Sequence, residues 1–182
     1  IKRAPLENIK EEFFKNTKYF AERMADAANG ASKAVSHLRV PFLSCFMGGL
    51  ENGIDVRDTK HQGTKYNGSG CLIHGISVAA DSIVAIRHML IERPNDKDML
   101  EQALKADFKG FDDLHGYLCK CPKYGNFINE ADNETAEVAN MAADTVASLK
   151  NYLGNSFRPD FSSPSTHLLY GYWVGATPDG RH

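Results

Sequence analysis

The residues whose types and spacing can do chemistry are few: Cys119-Lys-Cys121, Gly68-Ser-Gly70 followed by Gly75, His74, Asp81, and the hydroxyls Ser163, Ser165 and Thr166. A Cys-x-Cys pair offers two thiolates to a metal, but structural zinc takes four ligands from two such clusters, and no second pair is present. The pair reads as structural, and no metal site is expected. Gly68-Ser-Gly70 with Gly75 resembles a phosphate-binding loop, yet no Lys-Ser/Thr follows and the glycines precede an apolar stretch. Close backbone approach is the better reading. His74 stands between an apolar strand and a helix start, where an imidazole can act as acid, base or donor to a ligand, or simply be a core histidine satisfied by backbone. Asp81 lies in the first turns of the same helix, where the macrodipole favours a carboxylate without any chemistry. The three hydroxyls have no activating base placed by a motif and read first as strand-entry residues.

These residues must be positioned by elements that the pattern predicts. Apolar side chains recur at helical spacing from Leu6 through Ile9, Phe13, Phe20, Met24 and Ala27 to Leu38, one long helix or two in line, relaxed at Gly30 and ended by Pro41. A short helix is expected over Phe42 to Met47, then a loop from Gly48 to about Gly63. Thr64 to His74 reads as a strand that leads into a helix on Ile76, Ala79, Ala80, Ile83, Ile86 and Leu90, the basic step of an α/β fold. Asn95 or Asp96 can cap a third helix through Leu104. A fourth surrounds Leu114 and Leu118 and is closed by the loop CPKYGN. A further helix is expected from about Asn133 to Leu153 with Gly154 as its C-cap glycine. STHLLYGYWVG, rich in aromatic and β-branched residues, predicts a second strand. The chain closes on VGATPDGRH, a run dense in turn formers.

The 182 residues carry 21 Lys+Arg against 23 Asp+Glu and are 42% hydrophobic, with no basic block or acidic tail. Neither nucleic acid nor a membrane surface is indicated as a partner. No apolar run approaches the roughly 20 residues of a membrane span, and the N-terminus lacks a signal-peptide core, so a cytoplasmic location is expected. Cys45, Cys71, Cys119 and Cys121 are sparse and irregularly spaced, as reduced thiols are. Two strands are too few for a sheet with protected edges. Together with Ile1 in place of an initiator Met and the abrupt finish at His182, this predicts an internal piece of a longer protein.

Three stretches read together resemble the glycyl radical enzymes: TKYNGSGCLIHGISVAADSIVAIRHMLIE, LKADFKGFDDLHGYLCKCPKYGN and LLYGYWVGATPDGRH. The family pattern of a Lys-Tyr-Asn strand, a Gly-x-x-x-x-Ala-Asp-Ser helix, a Pro-x-Tyr/Phe-Gly-Asn loop and a Thr-Gly-Ala-Thr-Pro-Asp-Gly-Arg turn falls on Lys65 to Asn67, Gly75 to Ser82, Pro122 to Asn126 and Gly175 to Arg181. Val174 departs from it, since the family usually has Thr there.

That resemblance implies a helix-rich α/β fold, part of a ten-stranded α/β barrel of which residues 1–182 are one fragment. It also implies that the loop with the radical cysteine lies upstream and the loop with the radical glycine downstream. No catalytic residue is then expected in this chain, and the isolated chain is expected to be inactive. It implies no cofactor bound here; the parent protein carries a glycyl radical installed by a radical S-adenosylmethionine activating enzyme, works as a homodimer and cleaves a bond in a small-molecule substrate. Phe161, Ser163 and Ser165, before the closing turn, and His74, at the end of the first strand, become candidates for lining the substrate pocket. SVAADS is similar to the formate-lyase branch, and ADFKGFDDLHGYLCKCPKYGN to the dehydratase and decarboxylase branch. The rival from a different class is a non-catalytic helical scaffold or binding module.

Overall fold

The computed structural model describes residues 5–58, 69–162 and 167–182. Its elements are α1 (Ile9–Val35), α2 (Pro41–Phe46), α3 (Gly49–Asn52), β1 (Ser69–Ile73), α4 (Ile76–Glu92), α5 (Lys97–Lys105), α6 (Asp112–Lys120), α7 (Asn129–Ser148), β2 (Phe157–Phe161) and α8 (His167–Trp173). β1 and β2 pair in a two-stranded sheet. The described chain is therefore helix-rich α/β. It divides into two compact units, one containing the chain up to Lys15, Ile73–Met141 and Phe161–His182, the other Asn16–Leu72 and Ala142–Asp160.

The first unit is built around α4. Its sequence ISVAADSIVAIRHMLIE is apolar around most of its circumference, which is the pattern of a helix covered on all sides. Ala80, Asp81, Ile83, Val84, Ala85, Ile86 and Met89 are accordingly buried. Ala85, Ile86 and Met89 pack with Leu100 and Ala103 of α5, Phe108 of the following loop, Leu114 and Leu118 of α6, and Cys121. A second cluster joins Ala80 and Ile83 to Val138 of α7, with Phe13 and Phe14 of α1 against it. The chain enters α4 through Gly75 at φ +76°, a conformation that a side chain would disfavour. At the start of α5, Asp96 does not cap as expected. Its carboxylate pairs with Arg93 Nε at 2.5 Å instead.

In the second unit α1 passes Gly30 unbroken and stops at Val35. Pro41 does not end it but opens α2 at the first helical position, where a missing N–H is harmless. The hydroxyl of Ser44 accepts from Val56 N at 3.0 Å and donates to Val40 O at 2.9 Å. Gly49 follows so closely that a Cβ there would lie 2.6 Å from Ser44 O, so α3 forms where a plain loop was expected. α2 presents Phe42 and Phe46 to the outside.

Two further expectations are overturned. Gly154, at φ +86°, is not a helix C-cap; α7 ends at Ser148 and Gly154 sits in a tight turn. Asn151 accounts for this, its Oδ1 taking the N–H groups of Leu153 (3.0 Å) and Asn155 (2.9 Å), a local alternative with which helix cannot compete. The apolar run after Pro164 is also not a strand, because His167–Trp173 is α8 and Val174 N continues it onto Tyr170 O at 2.9 Å. A short apolar run has no periodicity that separates strand from helix, and the second strand lies earlier, at Phe157–Phe161.

Candidate functional site

Asp81 stands two turns into α4, 2% exposed, among apolar neighbours. Its Oδ1 accepts the backbone N–H of Tyr124 at 2.8 Å, which ties α4 to the loop Pro122–Asn126. Burial pushes its carboxyl above the usual range, the Tyr124 N–H and Lys123 oppose that, and the nearby Asp179 adds to it. The loop is held in turn by its own side chains. Lys123 Nζ donates to Leu118 O (2.8 Å), which also accepts the Cys121 N–H, and to Cys121 O (3.0 Å) just past the end of α6, where a cation also suits the helix dipole. Gly125 turns the chain at φ +86° and its N–H donates to Asp132 Oδ1 at 3.3 Å.

The closing turn docks on α6. Gly180 N donates to Thr177 O (2.9 Å) and Thr177 N to Arg181 O (2.8 Å), so the corner closes on itself. Asp179, 1% exposed, accepts from Thr177 Oγ1 through Oδ1 and faces Arg181 Nε through Oδ2 at 3.0 Å. Gly180, at φ +92°, lies so near Cys119 that a Cβ would meet its Sγ at 2.7 Å. Gly180 O accepts from His115 Nε2 at 2.9 Å and from the Cys119 thiol at 3.6 Å. The His115 ring stacks on Phe108, centroids 4.6 Å apart. Phe108 is buried despite a φ of +58°, a strained backbone held by its packing.

This constellation joins the Ala-Asp-Ser helix to the Pro-x-Tyr-Gly-Asn loop and seats the Thr-Pro-Asp-Gly-Arg turn beside them. Its carboxylates spend their lone pairs on backbone N–H groups and near neighbours. The arrangement positions backbone, and its neighbouring thiol and imidazole, Cys119 and His115, are both turned to Gly180 O rather than to each other.

The proposed pocket residues are distributed unevenly. His74 is half-buried, its ring 5.7 Å from that of Tyr170 on α8. Phe161 ends β2, 52% exposed. Ser163 and Ser165 lie outside the described residues, as does Lys65 to Asn67. Cys121 is buried, which pushes its thiol up, whereas Cys119 is exposed. Among the described residues no three His, Cys, Asp or Glu side chains gather as a metal site.

Sequence reading missed the partner of Asp81, although a lone carboxylate within an otherwise apolar helix is itself a signal, since a buried charge needs partners. It also missed Glu134, 5% exposed on α7, which binds Lys10 Nζ at 2.7 Å and Arg87. Nothing in the local pattern of NEADNETAEV separates that glutamate from its solvated neighbours.

The family model for pyruvate formate lyase-like proteins matches residues 3–171. The chain is 30% identical over 148 residues to trans-4-hydroxy-L-proline dehydratase from Clostridioides difficile, covering 80% of this chain and 18% of that protein. It superposes on the glycerol-bound B12-independent glycerol dehydratase from Clostridium butyricum with a TM-score of 0.86 and 28% identity, over 99% of this chain and 23% of the other. A glycyl radical enzyme from Archaeoglobus fulgidus gives the same TM-score at 29% identity, over 100% of this chain and 23% of that one. The chain thus spans about a fifth of the length of these relatives. It belongs to the pyruvate formate lyase-like family, the glycyl radical enzymes.

Proposed function

We propose that residues 1–182 are one segment of the α/β barrel of a glycyl radical enzyme, a lyase or dehydratase acting on a small polar molecule, and that this segment supplies wall and corner rather than radical residues. The observation that carries the reading is the junction itself: the Asp81–Tyr124 bond and the turn seated on α6 bring three family motifs together in a chain whose relatives include dehydratases. The exposed aromatics Phe42, Phe46, Tyr172 and Trp173 suit surfaces covered by other parts of a larger protein.

In this reading the radical, carried by a cysteine and a glycine outside this chain, supplies hydrogen-atom abstraction from an unactivated C–H bond. The residues present here exclude water and hold the substrate against that chemistry. His74 and Phe161, with Ser163 and Ser165, line the pocket and position substrate. The parent is a cytoplasmic homodimer activated under anaerobic conditions by a radical S-adenosylmethionine enzyme, and the isolated chain is inactive.

Electron paramagnetic resonance tests the reading. The full-length protein, activated anaerobically, is expected to show a glycyl doublet, and the chain 1–182 alone none. Absence of the doublet under conditions that activate a relative would overturn it and favour a non-catalytic scaffold.

A further inference from the structure

Arg87 and His88 project from α4 toward α7, where His88 Nε2 lies 2.9 Å from Glu130 Oε2 and Nδ1 lies 3.2 Å from Glu92 Oε1. Ionised carboxylates only accept, so both ring nitrogens must carry hydrogen to satisfy both contacts. A neutral imidazole carries one. The surrounding groups extend this contact across four helices. Glu130 also accepts from Arg87 Nη1 at 3.3 Å, and Arg87 Nη2 donates to Glu134. Glu134 and Glu137 hold Lys10 of α1 at 2.7 and 2.6 Å. On the other side Glu92 accepts the Tyr117 hydroxyl of α6 at 2.9 Å, and Arg93 lies 5.1 Å from the Tyr117 ring.

We propose that His88 is a pH-sensitive pin of this helix clamp: its imidazolium holds Glu130 of α7 and Glu92 of α4 at once, and loss of its proton removes one of those two hydrogen bonds and the charge behind both, which loosens a clamp that Arg87 still closes. A neutral ring can donate to Glu130 or to Glu92 but leaves the other carboxylate facing a lone pair. α4 is also the helix that carries Asp81, so the loosening acts on the element that holds the Tyr124 loop.

The Glu130 hydrogen bond, partly opposed by burial and helped by Glu92, holds His88 above the ordinary imidazole range. Reciprocally, His88 is the largest cause of the lowering of Glu130. The two directions agree. The contribution of His88 is therefore complete below its unfolded value of about 6.5 and is lost as pH rises through the raised folded value. That of Glu130 is lost as pH falls through its lowered value. The clamp is tightest in the window between.

The inference is independent of the catalytic reading and is tested on the whole protein. Deuterium exchange at the imidazole C2 position, followed by mass spectrometry of the His88 peptide across pH, reports its titration. The midpoint is expected above about 6.5 in the wild type and lower in Glu130→Gln and Glu92→Gln. Thermal midpoints should fall with rising pH through the same interval in the wild type, a step missing from His88→Gln. An ordinary midpoint for His88, or parallel profiles for wild type and His88→Gln, overturns the proposal. If a variant fails to fold, the wild-type midpoint decides alone.

Discussion

The backbone N–H of Tyr124 meets the buried carboxylate of Asp81 at 2.8 Å, across 43 residues of sequence. A largely apolar helix thereby holds a loop in place by one polar bond in a dry setting, where such a bond is strong and its loss is costly.

Asp81→Ala is expected to strand the Tyr124 N–H and to destabilise by about 1–3 kcal/mol. Asp81→Asn keeps an acceptor of the same shape. Because burial raises the Asp81 carboxyl, ionising it disfavours the fold. The stability of Asp81→Asn relative to wild type should therefore improve as pH rises from the unfolded carboxyl range to the raised folded value. Chemical denaturation of both proteins at a series of pH values checks this.

Gly180→Ala combines a left-handed backbone with a Cβ 2.7 Å from Cys119 Sγ and 3.0 Å from Cys119 N. The conformation costs about 1–2 kcal/mol and the overlap about 1–3 kcal/mol more. Adding Cys119→Ala should recover part of the overlap and none of the conformational loss. A double-mutant cycle on thermal unfolding separates the two.

Glu134 is buried and answers Lys10 and Arg87 together. Burial works against its charge, but the hydrogen bonds from Lys10 and Arg87 prevail, and its carboxyl is held below the usual range. Its contribution is present above the unfolded carboxylate value and is lost as pH falls through the folded one. Glu134→Leu is expected to destabilise by about 2 kcal/mol at neutral pH, with the difference from wild type narrowing in acid. Denaturant midpoints at neutral and acid pH measure it.

His74→Ala and Phe161→Ala test the pocket assignment in the full-length enzyme. Each is expected to lower kcat/KM about tenfold, near 1.4 kcal/mol, while leaving the glycyl radical signal intact. Unchanged kinetics would remove that residue from the pocket.

Much of this was legible in the sequence. The helical spacing of Ile76, Ala80, Ile83 and Ile86 predicts α4, and the order of four short motifs points to the family before any coordinates. Asn151 shows where local reading stops. Its side chain closes a turn that periodicity alone would have continued as helix to Leu153. HLLYGYW shows the same limit, since its apolar residues suit a strand or a helix and only context chooses α8.

Periodicity and motif order are properties of neighbouring residues, so the sequence by itself determined the helices of the α4–α6 region and the family. Tertiary structure decided which groups find one another: Asp81 with the Tyr124 N–H, Glu134 with Lys10 and Arg87, His88 with Glu130, and Gly180 against Cys119. Those partners lie 42 to 124 residues apart. Burial strengthens those made by Asp81 and Glu134, because water no longer competes for the same lone pairs.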